Sequence, residues 1–160
     1  MVNSRFSSSE ITDSYNNAVT RFAIDPLALV RLVTDGRHVH PSHQLVAPNS
    51  VRSLAMECLL IQVLSGEMTK HTATELHEKM TAVKIRLLGD RVSRRVAWQM
   101  ALEQKWPTLQ DAEFISVARL QADALVAESP VLALQAAGFV DLAQYEDLFA
   151  PCGNREVPIK

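Results

Sequence analysis

Arg21-Phe22-Ala23-Ile24-Asp25-Pro26-Leu27-Ala28-Leu29 is the stretch that decides the fold. Arg21 to Ile24 is a short β-prone run. Asp25-Pro26 then offers a helix cap followed by proline at the favoured first helical position, and apolar residues continue at helical spacing through Leu29 and Val33. Asp35-Gly36 stops the pattern. A strand that passes directly into a helix opens a βα unit. Parallel sheets built from such units gather ligands beyond the carboxyl ends of their strands, which places Asp25 at a favourable edge.

The same alternation repeats outward along the chain. Gln44 to Ala47 reads as a second strand, and Pro48-Asn49-Ser50 introduces a strongly apolar helix that ends before Gly66 and is expected to be well buried. Ala73, Leu76, Met80 and Val83 recur at intervals of three and four, making one face of a helix before a third strand, Lys84 to Leu88. Gly89-Asp90 turns the chain into a helix over Arg91 to Gln104, closed by Trp106-Pro107. Thr108 and Asp111 bracket a capping-box-like start to the next helix, with Ala112, Ile115 and Ala118 along one side. Ala124 to Ala127 is the fourth strand, Ser129-Pro130 begins another capped helix that Gly138 closes, and Phe139 to Asp141 reads as the last strand. Five short strands interleaved with helices predict an α/β fold with three layers, α/β/α, around a mainly parallel central sheet.

Size and composition fit one domain. A chain of 160 residues with 48% hydrophobic and 21% charged residues can bury one sizeable core and lies far from the composition of disordered chains. Residues 1–20 are rich in Ser and Asn and read as an N-terminal tail, disordered in expectation; residues 21–150 form the domain and 151–160 a C-terminal tail. The longest apolar run, Cys58 to Leu64, is interrupted by Gln62, which is too short for a membrane span. The tail lacks the apolar core of a secretory signal. Cys58 and Cys152 suggest neither a disulfide framework nor a zinc knuckle, so a cytoplasmic location is expected. The formal net charge of −2 rules out a global basic field, so any contact with nucleic acid must be local.

The run Arg21-Phe-Ala-Ile-Asp25, with Leu27, Leu29 and Leu32 after it, resembles the opening strand and first acidic position of PIN-domain proteins. Asp111-Ala-Glu-Phe114, Ala124-Leu-Val126 and Ala136-Ala-Gly138 are similar to the later half of that family, and the resemblance covers roughly residues 21–149. It implies a metal-dependent endoribonuclease of the toxin-like PIN type, with three or four carboxylates holding Mg²⁺ or Mn²⁺ for hydrolysis of RNA phosphodiesters. Hard divalent ions prefer oxygen ligands and can acidify a bound water while neutralising the scissile phosphate. Carried over by position, Asp25 is the first ligand and Asp111 the third. Leu54 stands where the second acid is expected, with Glu57 one helical turn later as a substitute. Ser129, beside Glu128, stands at the fourth. The resemblance also implies an RNA substrate, single-stranded or structured, an antitoxin protein partner and a homodimer. With two of four acidic positions altered, the alternative is a PIN-like domain that has lost catalysis and binds RNA or protein. Asp25, Asp111 and Ser129 are also well placed as helix caps, a role compatible with ligation.

Three further groups carry chemistry. His38, His40 and His43 cluster in one loop, with no evident fourth ligand for a transition metal; a solvated loop is the alternative. His71 and His77, six apart, do not match the helical zinc spacing. Lys84, Arg86, Arg91, Arg94 and Arg95 put five cations within twelve positions. Arg91, Arg94 and Arg95 fall at a helix start suited to phosphate, the alternative being a solvated face. Trp98 and Trp106 could stack on bases, but both lie beside apolar helix faces, where tryptophan usually serves the core.

Overall fold

The structure, a computed structural model, describes residues 19–151. The tails expected at 1–20 and 151–160 lie, but for three residues, outside that range, as does Cys152. Five strands, β1 (Thr20–Ile24), β2 (His43–Pro48), β3 (Ile85–Leu88), β4 (Ala124–Val126) and β5 (Leu142–Ala143), form one sheet in the order β3-β2-β1-β4-β5. Every neighbouring pair is parallel. Six helices flank it: α1 (Pro26–Asp35), α2 (Val51–Leu64), α3 (Lys70–Ala82), α4 (Arg91–Gln104), α5 (Gln110–Gln121) and α6 (Pro130–Ala136). The fold is therefore the three-layer α/β/α arrangement that the strand–helix alternation predicts.

Both faces of the sheet are covered, which explains why its strands read as unbroken apolar runs. Phe22, Ala23 and Ile24 of β1, Leu45, Val46 and Ala47 of β2 and all of β4 are buried, without the in–out alternation of a half-exposed sheet. Helix α5 has Phe114 to Ala118 buried without a break, including Ser116, whose hydroxyl donates to the Glu113 carbonyl at 3.0 Å. Small residues let α4 and α5 approach: Ala97, Ala101 and Ala112 form a separate apolar cluster closed by Trp106.

Four local expectations are corrected. The last strand lies at Leu142–Ala143, just beyond Phe139 to Asp141. There Leu125 N–H reaches the Asp141 carbonyl, while Phe139 and Val140 bond back to Ala136 and finish α6 instead. Helix α2 buries only Val51, Ala55 and Leu59; Met56, Leu60, Ile61 and Leu64 are exposed. The start of α5 carries no side-chain cap. Its N-cap is Leu109, so Thr108 precedes the helix and Asp111 sits in its first turn. Trp98 is 56% exposed, whereas Trp106 packs on the core and meets Phe139 edge-on.

Helix α4 ends on Lys105, the one non-glycine residue with positive φ among the described residues (φ 57°). Trp106 N–H bonds to the Ala101 carbonyl at 2.9 Å, the closing bond of a left-handed helix terminus. An L-residue is disfavoured there by roughly 1–2 kcal/mol, partly offset by glycine's larger unfolded-state entropy. Lys105→Gly is expected to raise stability by roughly 0.5–1 kcal/mol. A urea midpoint that falls on this substitution would contradict the assignment.

Candidate functional site at the carboxyl ends of the strands

The chain runs from β1 out to β3 and returns to β4 on the other side of β1, so the connections leaving β1 and β4 diverge. That divergence makes the crevice where open parallel sheets bind ligands. Asp25 follows β1 and Ser129 follows β4. The structure brings them together across 104 residues: Asp25 Oδ2 accepts the Ser129 backbone N–H at 2.8 Å, and Oδ1 accepts that of Ala28 at 2.7 Å. One carboxylate thus caps α1 and ties down the start of α6. Asp25 is 0% exposed, so solvent does not reach it. Burial raises its pKa above 3.8 and the charge of Glu128 adds to the rise, against the lowering by the N–H groups of Ser129, Ala28 and Glu128.

The other carried-over positions are engaged elsewhere. Ser129 Oγ accepts the Leu132 N–H at 3.3 Å as the cap of α6. Glu128, the acid beside it, holds Arg31 Nη1 at 2.8 Å. Arg31 also approaches Asp35 at 3.6 Å and lies 3.9 Å over the Tyr145 ring. The Tyr145 hydroxyl donates to Asp35 at 3.0 Å. Burial, followed by that bond, pushes its pKa up to about 12, so it remains a donor. On α2 it is Leu54 and Cys58, one turn apart, that pack on the core, while Glu57 is exposed. Burial raises the Cys58 thiol above 9.0, the charges of Asp25 and Glu57 adding to the effect, which places a neutral thiol on the Asp25 side of α2. Asp111 is half-buried and its pKa is also raised, with burial as the cause.

These residues do not fit a Mg²⁺ or Mn²⁺ ion. Mg²⁺ keeps several waters and needs near-octahedral space, which a carboxylate sealed from solvent does not offer. Crowded carboxylates also raise one another's pKa by repulsion, and Asp111 shows no such contribution. Among the described residues no three His, Cys, Asp or Glu side chains are gathered as a metal-binding group. That holds for the histidine loop as well: His40 Nδ1 lies 2.6 Å from Ser42 Oγ and His43 Nε2 lies 2.6 Å from the Ala150 carbonyl oxygen. His71 is exposed and pairs with Glu75 at 3.3 Å.

A small cavity of about 170 Å³ does open at this end of the sheet, displaced toward β2 and β3. Ser50, Gly89, Ser93, Arg94, Glu113 and Ser116 line it, with neither Asp25 nor Asp111 among the lining residues. Above it, α4 begins on the Asp90 cap, whose carboxylate accepts the Ser93 N–H at 2.7 Å. Arg91, Arg94 and Arg95 are exposed in the first turns of that helix. Trp98 follows at spacings of seven, four and three from them, so all four side chains share one face. The sequence carries that spacing; that Trp98 is exposed, where a core position is the commoner expectation, is decided by the fold.

No family model and no curated protein matches the chain. Among solved structures, the crystal structure of PAE2754 from Pyrobaculum aerophilum aligns with a TM-score of 0.59 at 19% identity, covering 81% of this chain and 93% of that one. At that identity the likeness shows the shared fold alone.

Proposed function

We propose that this chain is a PIN-like domain that binds single-stranded RNA without cutting it. The observation that carries the proposal is the exposed face of α4, where Trp98 stands beside Arg91, Arg94 and Arg95. Exposed arginines hold phosphate through their guanidinium groups, and an exposed indole stacks on an unpaired base. Such a face recognises a backbone with splayed bases and has little use for a stacked duplex. The expectation of a metal-dependent ribonuclease rests on the PIN resemblance; the sealing of Asp25, the exposure of Glu57 and the ion pair of Glu128 favour the non-catalytic alternative.

The test uses labelled single-stranded RNA and the full chain. Anisotropy should report binding that quenches the fluorescence of Trp98, and Trp98→Ala should weaken it about tenfold, base stacking being worth ~1–3 kcal/mol. Incubation with Mg²⁺ or Mn²⁺ should leave the RNA intact. Cleavage that disappears in Asp25→Asn together with Asp111→Asn would restore the nuclease reading. Binding that ignores Trp98 would remove the assigned face.

A further inference from the structure

At the opposite end of the sheet, where the strands begin, lies a groove of about 1070 Å³ bounded by the amino ends of β1, β2 and β3 and the loop from α1 to β2. Its charged and titratable lining consists of Arg21, Arg37, Lys84 and Arg86 with His38, His40 and His43, and no carboxylate lines it. In a chain of net charge −2, that is a local excess of one sign. The sheet aligns part of it. Arg21 is in register with Gln44 and Arg86 with Val46, so the two-residue alternation of strands directs Arg21 and Arg86 to the same face, with Lys84 two residues before Arg86.

These cations are available. Among the described residues no carboxylate pairs with the side chains of Arg21, Lys84 or Arg86, all of which are exposed. Arg21 does meet Asp123, but through its backbone N–H at 2.7 Å. Arg37 is different: it pairs with Glu146 at 2.9 Å and lies 3.5 Å over Phe149, so it acts as a wall of the groove. Charge on an edge strand often serves only to block edge-to-edge pairing. That purpose covers Lys84 and Arg86 beside edge strand β3, but not Arg21, which stands on the central strand.

The groove and the α4 face are joined along the chain by β3. Strand β3 carries Arg86 along the outer edge of the sheet for about 13 Å and delivers the chain through Asp90 into Arg91, Arg94 and Arg95. Lys84, Arg86 and the three arginines of α4 thus mark a basic path from one end of the sheet to the other. We infer that this path is the track of a single RNA strand, whose phosphates contact Arg21, Lys84 and Arg86 in the groove after leaving the α4 face. The inference rests on the RNA-binding proposal and extends it to a second contact with a definite direction along β3.

The experiment measures anisotropy of one long and one short labelled single-stranded RNA, across a salt series, with three proteins: the full chain, Arg91→Ala/Arg94→Ala/Arg95→Ala, and Arg21→Ala/Lys84→Ala/Arg86→Ala. Circular dichroism confirms that each is folded, and the single variant Lys84→Ala serves if the groove triple is not. The groove triple should bind the long RNA about tenfold more weakly and show a salt slope shallower by about 2, three contacts at ~0.7 each, while its affinity for the short RNA stays near that of the unaltered chain. Lys84→Ala alone should reduce the slope by about 0.7. Equal affinities and slopes for the groove triple and the unaltered chain, with the α4 triple still impaired, would overturn the track and leave the α4 assignment standing. Loss that is the same for both RNA lengths, or displacement of the long RNA by polyglutamate as readily as by unlabelled RNA, would also overturn it. No RNA binding by the unaltered chain removes the function on which the track depends.

Discussion

Asp25→Ala should lower the stability of the folded chain by about 3 kcal/mol, measurable as a fall in urea midpoint at unchanged slope. The substitution deletes two acceptors at once. The N–H groups of Ala28 and Ser129 lose a partner in a place that water does not reach, and an unsatisfied buried donor costs ~1–3 kcal/mol. The lost cap of α1 belongs to the same total, since the Ala28 bond is that cap. Asp25→Asn should cost less, because one amide oxygen can still serve one of the two donors. A change below about 1 kcal/mol for the alanine variant would show that the carboxylate is held for another purpose, metal binding first among them.

The pH dependence separates charge from hydrogen bonding. Burial raises the folded pKa of Asp25 above 3.8. The fold therefore favours the neutral acid, and the stability contributed by this titration is fully present below about 3.8 and is lost as pH rises through the folded pKa. The advantage of the natural chain over Asp25→Asn should accordingly narrow as pH increases from 3.8 toward neutrality. A gap that widens over that range would mean that the backbone N–H groups outweigh burial. Asp111, raised in the same direction by burial, titrates in both proteins and cancels from the comparison to first order.

The parts of the fold legible in the sequence are those governed by neighbours in the chain. Asp25-Pro26 and Ser129-Pro130 announce two helix starts because cap and proline act within one turn, and both side chains do accept the expected N–H, from Ala28 and Leu132. The meeting of Asp25 with Ser129 depends on β4 returning beside β1, a pairing that no local spacing encodes. Asp111 looked like part of a cap because Thr108 preceded it at the right interval. The chain instead enters α5 through Leu109, leaving Asp111 one step inside the helix. Helix α2 lacks a polar face, so its apolar content suggested burial, yet only the face bearing Val51, Ala55 and Leu59 meets the core. On the same helix Leu54 and Cys58 turn inward and Glu57 outward, an orientation fixed by packing against the sheet.

Replacing Arg91, Arg94 and Arg95 together by alanine should weaken binding of single-stranded RNA about 100-fold at low salt. Among the described residues none of the three forms a salt bridge, and Asp90, which feels the Arg94 charge, is itself exposed, so their removal leaves no buried charge behind and barely touches the fold. Exposed charges are screened, and roughly 1 kcal/mol for each is a reasonable scale; three such contacts give about two decades in affinity. The salt dependence is the sharper measurement. Each phosphate neutralised on a single strand contributes ~0.7 to the slope of log K against log salt, so the triple variant should lose about 2 in slope, and the affinity difference should shrink as salt rises. Trp98→Ala should behave in the opposite way, lowering affinity with little change in slope, because stacking releases no counterions. If both variants left slope and affinity intact, the basic stretch would be a solvated face and α4 would have no part in recognition. If Trp98→Ala alone mattered, an apolar partner would be seated on Trp98 in place of a base.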